Sequence, residues 1–95
     1  MMINKNDVIT SMSQLNTELN KNHQGSLTSQ FVNETLLKLQ KSEGVAFTGS
    51  LQYFINKAPV IKLSENIKLN KQERALWRKV FSYNELGNNL WGARL

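Results

Sequence analysis

Residues 66–83 read Asn66-Ile67-Lys68-Leu69-Asn70-Lys71-Gln72-Glu73-Arg74-Ala75-Leu76-Trp77-Arg78-Lys79-Val80-Phe81-Ser82-Tyr83, and this stretch decides the fold. Asn70 followed three positions later by Glu73 has the form of a capping box. The first side chain accepts from the amide at the third helical position, and the carboxylate reaches back to the amide of the cap. Leu69 stands where a hydrophobic staple begins. Beyond the cap, Leu76, Val80 and Tyr83 recur at helical spacing, and Trp77 and Phe81 widen the stripe. Lys71, Arg74 and Arg78 fall at i, i+3 and i+7, so they form a second stripe, opposite Leu76 and Tyr83. One helix therefore carries a core face and a basic face, and Gly87 is expected to end it.

Outward from this helix, the rest of the chain also reads as helical. A helix opening near Thr48 or Ser50 buries Leu51, Phe54, Ile55 and Ala58. Pro59 lacks an amide donor and clashes with the preceding turn, so this helix is expected to kink or stop near Ala58. Val60-Ile61-Lys62-Leu63 then continues as an offset helical piece or, alternatively, as a short strand. Ser26 is placed to cap a helix that buries Leu27, Phe31, Leu36 and Leu39, with Val32 and Leu37 broadening the stripe. Gly44 is placed to end it in the left-handed conformation. The first helix runs from about Asn6 to Asn20, with Val8, Met12, Leu15 and Leu19 on one face and Asn4 or Asn6 as its cap. The tail Asn88-Asn89-Leu90-Trp91-Gly92-Ala93-Arg94-Leu95 keeps a Trp and two Leu, which gain nothing in solvent, so it is expected to fold back. These elements, joined by short loops, predict an all-α, antiparallel up-down four-helix bundle with a C-terminal tail packed back on it. Its 95 residues make a single domain, 1–95.

Composition narrows the function. There are no cysteines, which excludes a disulfide framework, a thiolate metal site and a cysteine nucleophile. The N-terminal segment has no apolar signal-peptide core, and no stretch near 18 apolar residues occurs, so the expected location is cytoplasmic. The net charge of +5 is confined to residues 57–79, where seven basic residues face only Glu65 and Glu73. The segments on either side are each balanced. Such asymmetry points to an anionic partner: nucleic-acid phosphates, an anionic membrane surface or an acidic protein. A solvated face kept for solubility is the plainer reading.

Catalytic signals are missing. His23 is the one histidine; it sits in the polar loop Asn20-Lys21-Asn22-His23-Gln24-Gly25 and reads as a surface residue. A metal site needs three or four ligands, and a hydrolytic serine needs a base with an orienting group. No GxGxxG or GxxxxGK[ST] motif occurs. The expectation is no enzyme, no cofactor and no metal. The best contact candidates are Lys71, Arg74 and Arg78 with the tail residues Asn89, Leu90, Trp91 and Arg94. Trp91 stands out because its Gly- and Asn-rich surroundings fit a core poorly, whereas Trp is enriched at interfaces.

The helical segments, the run Asn66-Ile67-Lys68-Leu69-Asn70-Lys71-Gln72-Glu73 leading into the final helix, and the Gly- and aromatic-containing tail together resemble the immunity proteins of class IIa (pediocin-like) bacteriocins, the enterocin A immunity-like family. The resemblance is strongest from Phe54 to Gly92, and Pro59 departs from the family pattern. It implies a cytoplasmic, non-enzymatic four-helix bundle, peripheral to the inner face of the cell membrane. That protein protects the producer cell from its own pore-forming peptide. Its implied partner is the membrane-embedded sugar permease, the mannose phosphotransferase receptor, with bacteriocin bound. In the family the C-terminal half and tail carry specificity, which here covers Lys71, Arg74, Arg78, Asn89, Leu90, Trp91 and Arg94. A monomer is expected, with no nucleic-acid partner. The alternatives are a small basic nucleic-acid-binding regulator, which lacks a compact helix-turn-helix pattern before Asn70, and an interaction module of a larger assembly.

Overall fold

Val8, Met12, Leu15 and Leu19 are fully buried along one side of the first helix, which is why that segment folds against its neighbours. The computed structural model describes residues 5–91, with side chains for 5–83. Four helices account for nearly all of it: α1 (Lys5–Asn22), α2 (Leu27–Lys41), α3 (Gly44–Glu65) and α4 (Lys71–Trp91). Around the ring α1 packs on α2 and α4, α2 on α3, and α3 on α4, the last contact being the least extensive among the described residues. The end of α1 meets the start of α4 through Asn22 and Glu73, and the start of α2 meets the end of α3 through Leu27 and Glu65. At the opposite end Lys5 Nζ donates to the Ser42 carbonyl at 2.6 Å and to Glu43 Oε1 at 3.0 Å. Neighbouring helices are thus antiparallel, and the fold is the expected up-down four-helix bundle.

Phe54, fully buried on α3, is the centre of the core. Its ring stacks on Phe31 of α2 at 5.5 Å and lies 6.3 Å from Trp77 and 5.7 Å from Phe81 of α4. Trp77 and Phe81 stack on each other at 4.9 Å. This row of rings joins three helices across the thin α3–α4 seam. On the other side of α4, Tyr83 Oη lies 3.1 Å from Ser11 Oγ and donates to the Asp7 carbonyl at 3.3 Å, which fixes α4 to α1.

Several expectations are corrected. Gly44 does not end α2; it is the first residue of α3, with φ +55°, and α2 closes at the extended Ser42, whose amide donates to the Leu39 carbonyl. A two-residue connection suffices, so α3 begins four residues before Thr48. Pro59 does not stop α3, which continues to Glu65 and is capped by left-handed Asn66. The strand alternative for residues 60–63 therefore fails. Leu27 and Leu37 are exposed rather than buried, because the α2 stripe facing the core runs through Val32, Leu36 and Leu39. Leu69 enters the core, but position N4 of α4 is Arg74, so no apolar staple closes; Arg74 Nη1 donates instead to the Leu69 carbonyl at 3.3 Å. Gly87 does not end α4, and residues 88–91 continue that helix rather than forming a separate tail. The expected packing of Gly92, Ala93, Arg94 and Leu95 lies outside the described residues, as does a cap at Asn4.

Two substitutions test this account by urea unfolding. Phe54→Ala removes the ring shared by three helices and is expected to cost about 3–5 kcal/mol. Pro59→Ala restores a helical amide, and it should stabilise the bundle by about 2 kcal/mol after allowing for the entropy proline removes from the unfolded chain. A neutral or destabilising Pro59→Ala would show that α3 depends on the proline.

Candidate binding surface

The position of α4 is set by a polar clasp at one end of the bundle. Glu73 has no solvent exposure. The Asn70 amide donates to its Oε1 at 2.8 Å, and the Glu73 amide donates back to Asn70 Oδ1 at 2.8 Å, completing the capping box. Asn22 Nδ2, in the last turn of α1, donates to Glu73 Oε2 at 2.8 Å. His23 Nε2 lies 3.2 Å from Oε1. His23 is therefore not the surface histidine expected from its loop; its side chain is 21% exposed and tied to the carboxylate.

Glu65 does similar work for α2. It accepts from the amides of Leu27 at 2.6 Å and Thr28 at 2.7 Å and from Thr28 Oγ1 at 2.7 Å. Ser26 Oγ, the cap on the chain itself, accepts from the Ser29 amide at 3.0 Å. The otherwise orphaned amides of the first turn are thus answered from two places in the sequence. A carboxylate at a helix N-terminus also meets the positive end of the helix dipole.

Burial alone pushes the carboxyls of Glu65 and Glu73 up. The hydrogen bonds outweigh it, together with the attraction of nearby His23, so both are held below the ordinary glutamate value. Both groups are spent on structure: their oxygens are occupied by donors that belong to the fold. Among the described residues no group of three or more His, Cys, Asp or Glu could hold a metal ion. The depression between α1 and α4 lined by Gln14, Thr17, Glu18, Gln72 and Leu76 contains one carboxylate, Glu18, which faces Lys21 at 3.4 Å.

The clasp turns Glu73 inward and leaves Lys71, Arg74 and Arg78 outward, all three exposed. They run along about 10 Å of the helix axis, at a rise of about 1.5 Å per residue. Lys79 is exposed on α4 as well, on the side where it lines a depression with Asp7 and Gln14. The helical spacing contained this fourth cation; it lay beyond the i, i+3, i+7 pattern. Asn89, Leu90 and Trp91 belong to the last turn of α4, but their side chains, and Arg94 altogether, lie outside the described residues. What this surface can do chemically is attract anions. Among the described residues no helix is long and apolar enough to cross a membrane. No protein-family model matches the chain, and no curated protein or solved structure matches it either.

The clasp predicts a pH dependence. Folding favours the ionised forms of Glu65 and Glu73, so their contribution is complete above pH ~5 and is lost as pH falls through their lowered folded-state values. Glu73→Gln keeps the shape but weakens three hydrogen bonds. It is expected to cost about 1–3 kcal/mol at pH 7 and to flatten the loss of stability between pH ~5 and ~3. Urea midpoints across that range are the measurement; an unchanged slope would remove Glu73 from the account.

Proposed function

We propose that this chain is a bacteriocin immunity protein of the pediocin-like type, a non-enzymatic binder. It works at the cytoplasmic face of a membrane-embedded sugar permease that carries the bacteriocin. The supporting observation is the outward basic stripe Lys71, Arg74 and Arg78 on a helix whose start is locked by the Asn70–Glu73 capping box. The resemblance in residues 66–73 and the four-helix bundle point the same way. The arrangement favours binding because a rigid helix presents three cations at fixed spacing, while its one described carboxylate is turned inward. Charge complementarity of this kind contributes orientation and rate more than raw affinity.

Expression in a sensitive strain that lacks the protein tests the proposal. Survival against at least one pediocin-like bacteriocin is expected. A variant carrying Lys71→Ala, Arg74→Ala and Arg78→Ala should lose protection by about tenfold or more, the effect of losing ~1.4 kcal/mol of interaction. Its thermal unfolding should fall only slightly, since all three residues are exposed and the one contact of the fold removed is the Arg74–Leu69 hydrogen bond. Unchanged killing by every such bacteriocin tried would sink the reading. Salt-steep DNA binding without protection would favour the nucleic-acid regulator instead.

A further inference from the structure

Helix α3 carries an apolar outer face that its place in the bundle does not use. Residues 44–56 contain no charged side chain, and the only charges on the helix are Lys57, Lys62 and Glu65. Tyr53, Val60 and Leu63 are 53%, 57% and 78% exposed. Tyr53 and Val60 are seven residues apart and Leu63 follows three later, so the three share the outward side. The patch continues over the edge of the helix. Tyr53 meets Phe31 edge-on at 6.0 Å, and Phe31, Leu27 and Ile61 line a shallow groove between α2 and α3. Leu27 itself is 58% exposed. Exposed apolar side chains gathered on two adjoining helices differ from singly scattered ones and point to a contact.

The charges around this patch say what covers it. Lys57 is exposed and, by helical spacing, neighbours Tyr53, Val60 and Ile61. Lys38 places its ammonium 5.9 Å from the centre of the Tyr53 ring. Lys62, nine residues beyond Tyr53, lies across the helix from the patch. Of the two carboxylates nearby, Glu65 is taken up by the α2 amides. Glu34 lines the groove four residues before Lys38, in the order that favours pairing. The result is an apolar strip with a tyrosine, bordered by lysines. Such a strip suits a bilayer interface, where buried apolar area and attraction to anionic headgroups act together. The α4 stripe differs, being basic without exposed large apolar side chains among its described residues.

We propose that the α2–α3 face, centred on Tyr53, Val60 and Leu63, docks on an anionic lipid surface. The basic stripe, on the adjacent side of the bundle, then stays free for another partner. This proposal does not rest on the immunity reading: lipid docking is measured on the purified chain, without bacteriocin or permease.

The experiment is co-sedimentation of the full chain with phosphatidylcholine vesicles, with and without phosphatidylglycerol. Binding to the anionic vesicles alone, weakened by salt, is expected. Val60→Gln with Leu63→Gln removes apolar area without changing charge at two exposed positions. This variant should lower partitioning by roughly tenfold while circular dichroism and thermal unfolding stay as in the parent. Lys57→Gln should reduce the salt-sensitive part. A variant with Lys71→Gln, Arg74→Gln and Arg78→Gln should retain the apolar contribution. Three results would overturn the proposal: no binding to anionic vesicles at low salt; binding lost with the stripe variant but kept by the double glutamine variant; or no lipid binding together with a dimer in gel filtration that the double variant dissolves, which would assign the face to a second copy of the chain.

Discussion

A carboxylate with no exposure to water sits where α1 ends and α4 begins, and the arrangement of the bundle follows from satisfying it. An ionised group in such a place is costly unless its oxygens are filled. The Glu73 oxygens are filled by the amide of Asn70, the side-chain amide of Asn22 and the imidazole of His23. These donors come from two stretches about fifty positions apart, so they meet only when the helices are antiparallel and in register. Glu65 repeats the device between α3 and α2. The α1–α2 connection is thereby held at both ends by residues of distant helices. The chain has no disulfide, and these polar fastenings define which helix lies beside which while the apolar core supplies most of the driving force.

The apolar side of the balance is concentrated on Phe54. Through its ring the core reaches Phe31 on α2 and Trp77 and Phe81 on α4, bridging the least extensive helix contact in the bundle. The same packing explains why Pro59 fails to break α3. A proline in a helix interior costs about 3 kcal/mol. Stopping the helix there would forfeit the Asn66 cap and the two amides answered by Glu65. It would also release Ile61, whose half-buried side chain lines the groove with Phe31. Continuing the helix is the smaller loss.

What could be read in the sequence was whatever local periodicity and local caps encode. The buried faces of α1 and α4, the Ser26 cap and the Asn70–Glu73 box were all legible, because each is set within one or two turns. The basic stripe was legible for the same reason. The clasp was not: nothing in the loop around His23 announces a carboxylate fifty residues downstream. Leu27 and Leu37 were misplaced because the α2 stripe is narrower than their hydrophobicity suggests. The Glu65 cap draws the first turn of α2 into place by its backbone and leaves the Leu27 side chain outside. Gly44 and Gly87 show a different limit. Gly44 does turn left-handed, but as the first residue of α3 after α2 has already closed at Ser42, and Gly87 lies within α4. A glycine thus marks where the backbone can turn without fixing which helix it serves.

The inward turn of Glu65 and Glu73 has a consequence for how the molecule meets others. Both of the acids that offset the basic segment are held in hydrogen bonds at the capped end, so positive charge gathers on the outer sides of α3 and α4. A charge distribution this one-sided exerts a torque on an approaching molecule in an anionic field. It turns the protein before contact, so encounters begin with the basic sides already facing the target and fewer collisions are wasted on the balanced α1–α2 flank. The buried capping box thus sets the direction from which the protein is approached as well as the fold.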